Sequence, residues 1–156
     1  MERLRAEHAP ELLKFEVENR EYFSRSISDR GDAYFREFES ELEARLSEQG
    51  TGLCAFHVLV ADDGSVLGRF NLVDIGDGSA ELGYRMAERA AGQGLATSTV
   101  LEVCRRAAAE LELHTLRART TEANVASRRV LLKAGFEATG STEIGGRPAI
   151  RFERSL

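Results

Sequence analysis

The chain has 156 residues, 42% apolar and 30% charged, a balance that fits one globular domain with its own core and excludes a disordered or fibrous chain. Its formal charge of −5 is unevenly placed, because residues 1–50 hold 8 Lys+Arg against 13 Asp+Glu while residues 51–156 hold 13 of each. That surface argues against nucleic-acid binding, which needs clustered cations, and no apolar run approaches the roughly eighteen residues of a membrane span.

The opening "MERLRAEHAPELL" lacks the apolar segment of a secretory signal, so a cytoplasmic protein without membrane or nucleic-acid partners is expected. Residues 9–24 then place Leu12, Leu13, Phe15, Val17, Tyr22 and Phe23 on a broad helical face, and residues 31–47 repeat Phe35, Phe38, Leu42 and Leu46 at helical spacing. At "CAFHVLVA" the apolar period changes from 3.6 to 2. The turns "DDGS" and "GDGS" set off two further strands, "VLGRFNLVDI" and "AELGYRM", giving a three-strand antiparallel meander. A long helix comes after "AAGQG", with an apolar stripe of Val100, Val103, Cys104, Ala107, Ala108 and Leu111. "HTLRART" reads as a strand and residues 124–134 as a helix, stopped by Gly135 at C′ with Phe136 as its apolar contact. The tail "FEATGSTEIGGRPAIRFERS" reads as a hairpin whose second strand carries Pro148 near its start or at an edge.

Three histidines, His8, His57 and His114, have no metal-ligand spacing, so no metal site is expected. Cys54 and Cys104 sit in apolar patterns and read as reduced core thiols. Gly92 and Gly94, at the start of the long helix, have two readings. They let a phosphate approach the unpaired N–H groups of the helix start, or they supply positive φ for a tight turn. There is no G-x-x-x-x-G-K-[ST], and a dinucleotide fingerprint fails because Thr97 stands at the third glycine and the preceding strands form a meander.

"AELGYRMAERAAGQGLAT" followed by "NVASRRVLLKAGF" resembles the GNAT superfamily of acyl-CoA-dependent N-acetyltransferases, whose [RQ]-x-x-G-x-G/A motif falls on Arg89, Gly92 and Gly94. "ENREYF", "ELGYRM" and the Asn124/Ser127 spacing are similar to the ribosomal-protein N-terminal acetyltransferases of the RimJ/RimL type. The resemblance covers nearly the whole chain. It implies a single α/β domain with a mixed, mostly antiparallel sheet of six to seven strands and about four helices, and acetyl-CoA as cosubstrate. It further implies a strand splayed after "LGYRM" that offers main-chain groups of Met86 and Ala87 to the thioester, and amides of Gln93, Gly94, Leu95, Ala96 and Thr97 for the pyrophosphate.

Asn124 is a good helix cap, and the resemblance also makes it a CoA contact. Ser127 is the candidate partner of the departing thiolate, since the tyrosine that many relatives carry seven residues after the asparagine is Leu131 here. Tyr84 or water stands behind it. Glu81 is the candidate general base, with His57 as a second candidate and a water chain as a third. Ser98 stands where relatives often have glutamate, which leaves no role for that acid. Buried cysteines leave direct transfer through a ternary complex rather than an acetyl-cysteine route. The acceptor is an amine: a protein N-terminus, an amino acid, a polyamine or an antibiotic, or none at all if the fold only senses CoA. In this branch the N-terminal helices wall the acceptor cleft, so Glu16, Glu18, Glu21, Glu37, Glu39, Glu41 and Glu43 predict a cationic acceptor. The sequence does not decide whether the chain forms a homodimer.

Overall fold

The computed structural model describes residues 1–156 and shows a seven-stranded sheet in the order β1-β2-β3-β4-β5-β7-β6. The strands are β1 (Glu2–Arg3), β2 (Ala55–Val60), β3 (Val66–Gly76), β4 (Ser79–Met86), β5 (Thr115–Thr121), β6 (Glu137–Ile144) and β7 (Arg147–Ser155). Only β4 and β5 run parallel. The mixed, mostly antiparallel α/β architecture therefore stands as expected, with one addition: β1, two residues long, is too short to show a period.

Six α-helices replace the four expected, because each N-terminal helix is broken once. The helices are α1 (Ala9–Glu18), α2 (Arg20–Ser24), α3 (Gly31–Arg36), α4 (Phe38–Gly50), α5 (Leu95–Leu111) and α6 (Val125–Lys133). The first break is at Asn19, whose side-chain amide donates to Phe15 O at 2.9 Å while its Oδ1 accepts from Glu88 N–H at 2.9 Å. A side chain that bonds the backbone in this way competes with the helical ladder, and it ties the α1–α2 corner to the segment just after β4. Gln49 does similar work at the end of α4, donating to Leu4 O and accepting from Phe56 N–H.

Two cores cover the two faces of the sheet. On one, Phe70, Leu72, Leu82 and Leu116 pack against Val100, Val103 and Ala107 of α5 and Leu131 of α6. On the other, Phe56, Val58 and Val66 meet Leu12, Phe15, Phe38 and Leu42 from α1, the start of α4 and its middle. Gly135 has φ 81°, and the bonds Gly135 N–H to Leu132 O and Phe136 N–H to Leu131 O close α6 with Phe136 buried, as its sequence predicts.

Candidate active site

Parallel pairing of β4 with β5 begins at Ser79–Thr115 and ends at Leu82–Ala118. Beyond it the strands part. Ala87 N–H donates to Leu67 O at 2.8 Å, which fixes the phase of the β3–β4 ladder: odd-numbered residues of β4 turn their main-chain groups toward β3, even-numbered ones toward β5. Tyr84 and Met86 thus point N–H groups into the gap that β5 has left. Of the two residues expected to offer an amide there, Met86 fits and Ala87 does not, because its N–H is already committed to Leu67.

The gap joins two cavities. One, of about 350 Å³, is lined by Met86, Gly92, Gly94, Ala96 and Thr97 together with Ala126, Arg129 and Lys133 of α6. The other, of about 490 Å³, is lined by Arg69 and Asn71 of β3, Glu81, Gly83 and Arg85 of β4, Arg119 of β5 and the β6–β7 turn. Tyr84, Arg85, Asn124 and Ser127 border both.

At the junction the Tyr84 hydroxyl lies 3.0 Å from Ser127 Oγ and 3.2 Å from Ser127 O. Phe70, opposite Tyr84 across the ladder, stacks on its ring at 5.6 Å and 9°, which holds the hydroxyl toward α6. Burial pushes the Tyr84 phenol up to about 12, and the bond to Ser127 opposes that only in part. Ser127 is itself placed by Asn124, whose Oδ1 accepts from Ser127 N–H at 3.1 Å as the cap of α6. Three residues singled out from sequence, Tyr84, Asn124 and Ser127, are therefore one connected group.

The glycines show the turn reading directly and leave the space that the phosphate reading needs. Gly92 (φ 76°) and Gly94 (φ 78°, the cap of α5) are left-handed turn residues, and a Cβ on either would meet nothing within 4 Å. The start of α5 therefore has open space above it and no acidic residue in its first turn to repel an anion. Not all of the motif faces it. Arg89 turns away to donate to Ser65 Oγ, and Gln93 donates to Arg89 O; neither they nor Leu95 line the cavity. Sequence reading missed Arg129 and Lys133, one helical turn apart on the cavity side of α6; their i, i+4 spacing after Asn124 was the available signal.

Glu81 lines the larger cavity, with its Oε1 held by Arg119 Nε and Nη2, each at 2.9 Å. His57 borders neither cavity; it is buried on the opposite side of the sheet from Phe56, where burial first and then the nearby Arg106 and Arg3 lower its pKa. Cys104 is buried and Cys54 half-buried, burial raises both thiols, and neither borders either of these two cavities.

The acidic wall expected from the first fifty residues is not at the cleft. None of Glu16, Glu18, Glu21, Glu37, Glu39, Glu41 and Glu43 lines the larger cavity. Glu16 is 1% exposed and turned inward: its Oε1 accepts from Arg69 Nη1 at 2.7 Å and its Oε2 from Arg85 Nη1 at 2.9 Å, with Arg30 Nε at 3.8 Å. The helix period explains the difference, since Glu16 follows Phe15 onto the buried side while Glu18 and Glu21 face solvent.

Residues 1–137 match the family profile described as acetyltransferase (GNAT) domain. The chain is 31% identical over 140 residues to the probable N-acetyltransferase YjcK of Bacillus subtilis (strain 168), covering 85% of this chain and 76% of that protein. Its fold matches ribosomal-protein-S5-alanine acetyltransferase from Vibrio fischeri with a TM-score of 0.90 at 18% identity, covering 98% of this chain and 90% of that one. It also matches Mycobacterium smegmatis RimJ in complex with CoA-disulfide with a TM-score of 0.88 at 20% identity, covering 97% and 79%. With a family profile spanning most of the chain, a relative above 30% identity and a strand pair that opens beside a glycine-capped helix, the chain is an acetyltransferase of the GNAT family.

Proposed function

We propose that this enzyme moves the acetyl group of acetyl-CoA to the α-amine of a peptide N-terminus by direct transfer, and that the Tyr84–Ser127 junction between the two cavities carries the reading. The residues on the smaller cavity fit CoA. Gly92 and Gly94 leave room for the pyrophosphate at the start of α5, amides of Ala96 and Thr97 face it, and Arg129 and Lys133 supply cations for the remaining phosphate charge. Pantetheine would run along the open edge of β4, where Tyr84 and Met86 present main-chain groups, and the Met86 N–H would polarise the thioester carbonyl.

In the transfer a C–N bond forms, the C–S bond breaks, the amine gives up a proton and the thiolate gains one. A phenol at about 12 is a weak acid toward a thiolate whose thiol ordinarily titrates near ~8.5. The Ser127 hydroxyl, held beside Tyr84 at 3.0 Å, therefore serves by donating a hydrogen bond to the departing thiolate, and the proton the thiolate finally gains comes from water in the cavity. The amine's proton leaves through the larger cavity, which Glu81 of β4 lines, and water completes the path. That cavity is bordered by Ser26 and Ile27 and by the Glu143–Gly145 turn, the loops that would flank an incoming chain terminus.

The test is thiol release from acetyl-CoA with a peptide bearing a free N-terminus, the same peptide blocked at its N-terminus, and spermidine. Release with the free peptide alone supports the reading. Release with spermidine alone makes the enzyme a small-amine acetyltransferase, and CoA binding without release to any amine makes it a CoA-binding module.

A further inference from the structure

The floor of the larger cavity is built from one face of the β3–β4 ladder, where Arg69 stands opposite Arg85 and Asn71 opposite Gly83. Like charges directly opposed across a ladder destabilise it unless a counter-ion intervenes. The single carboxylate of Glu16 does so, one oxygen to each guanidinium, and Arg30 also approaches it. Two guanidiniums against one carboxylate leave this floor with an excess positive charge, and Arg30 adds to it. Burial lowers the Arg85 pKa to about 10, with Arg30 and Arg69 adding repulsion against the pull of Glu16.

The other charges at this cavity do not cancel that excess on the floor. Glu81 is held by Arg119, and Glu143 is an exposed residue at the rim. Arg20, close by, is taken up by Asp29 and Asp32.

Next to the arginines, Asn71 Oδ1 is buried and has no hydrogen-bond partner. Gly83, opposite it, is not in a left-handed conformation, and a Cβ there would meet nothing within 4 Å. With no side chain and no neighbour in the way, Gly83 leaves room on this face for a ligand to come close to the strand. Asn71 and Arg69 lie two residues apart on one face, so their Cα atoms are about 7 Å apart. Asn71 and the two arginines therefore share the one face of the ladder that floors the cavity.

We propose that Arg69 and Arg85 form an anion subsite on the floor of the acceptor cavity, with Gly83 leaving room beside it, so that the acceptor is a primary amine whose own molecule carries a carboxylate, such as an N-terminal aspartate. The proposal rests on the transfer reading above and reverses the cationic acceptor expected from the acidic first third of the sequence. Charge-assisted bonds to a buried guanidinium pair discriminate strongly against an uncharged isostere, because the site's charge is then left unmatched.

The experiment measures kcat/KM by thiol release with Asp-Ala-Ala, Asn-Ala-Ala and Lys-Ala-Ala amides and with free aspartate, for the wild type and for Arg85→Gln. The aspartyl peptide should exceed the asparaginyl one by about 10- to 100-fold and the lysyl one by more, and Arg85→Gln should remove the preference. Free aspartate turned over faster than the aspartyl peptide would place the acceptor among small amino acids with the same chemistry. Asn or Lys peptides used as well as Asp by the folded wild type would overturn the subsite while leaving the transferase reading intact. Calorimetric titration of N-acetylaspartate and N-acetylasparagine into the CoA-loaded protein needs no turnover. If no amine releases thiol, the transferase reading fails, and equal affinities of these two compounds would then overturn the anion subsite as well.

Discussion

Replacing Ala96 by glutamate separates the phosphate role of the glycine-capped helix from its role in the fold. Ala96 is the second residue of α5, is half-buried and lines the smaller cavity. Glutamate is nearly as good a helix former as alanine, and a carboxylate in the first turn interacts favourably with the helix dipole by about 0.3–1 kcal/mol. The variant should therefore melt at or slightly above the wild-type temperature. A pyrophosphate held at the same helix start brings two negative charges to within about 5 Å of the new carboxylate, and at an effective dielectric between 80 and 20 each pair costs about 1–3 kcal/mol. The sum predicts a rise in the CoA Kd of at least about tenfold, read by calorimetric titration beside a thermal melt. Gly94→Ala is less clean, because φ 78° strains any side chain whether or not phosphate binds there. Unchanged CoA affinity in a folded Ala96→Glu protein would refute the placement of the phosphates and leave the glycines as a turn.

Glu16→Ala should destabilise the protein by about 3–5 kcal/mol in denaturant unfolding, since it strands the Arg69 and Arg85 guanidiniums without their shared carboxylate; a loss under about 1 kcal/mol would mean that water already screens them. Ser127→Ala should leave CoA affinity within a few-fold and lower kcat by roughly 10- to 1000-fold, the pattern of an interaction made mainly in the transition state; an unchanged kcat would leave the thiolate to Tyr84 or water alone. The folded Tyr84 value of about 12 exceeds the ordinary 10, so its contribution is fully present below pH 10 and is lost as pH rises through about 12. Subtracting the alkaline absorbance titration of Tyr84→Phe from that of the wild type should therefore leave one phenol ionising near pH 12, and a difference centred at pH 10 would refute the burial argument. Gly83→Leu should raise the KM for the amine at least tenfold without moving the CoA Kd, because its side chain projects only into the larger cavity; equal loss of CoA binding would mean that the two cavities are not separate sites.

Periodicity made most of the sheet legible, because β2 to β5 and the closing hairpin each alternate or end at a glycine-rich turn. It could not reveal Asn19 as a helix break, since the partner that makes the break worthwhile, Glu88, is sixty-nine residues away. The cap at Asn124, the Gly135 stop and the Ser127 candidate lie within a few residues of what they act on, and these local signals were readable. The larger cavity was not. Its floor depends on cross-strand register, Arg69 against Arg85 and Asn71 against Gly83, and a slip of one residue would put a different face there. Counting charge over fifty residues likewise missed that Glu16 serves the arginines rather than the surface.

The location of the site comes from one topological choice. A meander brings β4 alongside β3, and the next strand, β5, runs parallel to β4, so a crossover is needed and α5 supplies it. A crossover helix starts where its strand ends, which puts the N–H groups of α5 at the C-terminal end of β4. Because β5 is parallel to β4, its own C-terminal end lies at the same edge, and the start of α6, with Asn124 and Ser127, lies there too. The last β4–β5 pair is Leu82–Ala118, so the gap opens on this edge, between two helix starts. Had β5 been antiparallel, α6 would begin at the far edge and Ser127 could not reach Tyr84. Unpaired strand edges, a glycine-capped helix start and a capped hydroxyl therefore meet because one pair of strands in an antiparallel sheet is parallel, and because that pair stops early.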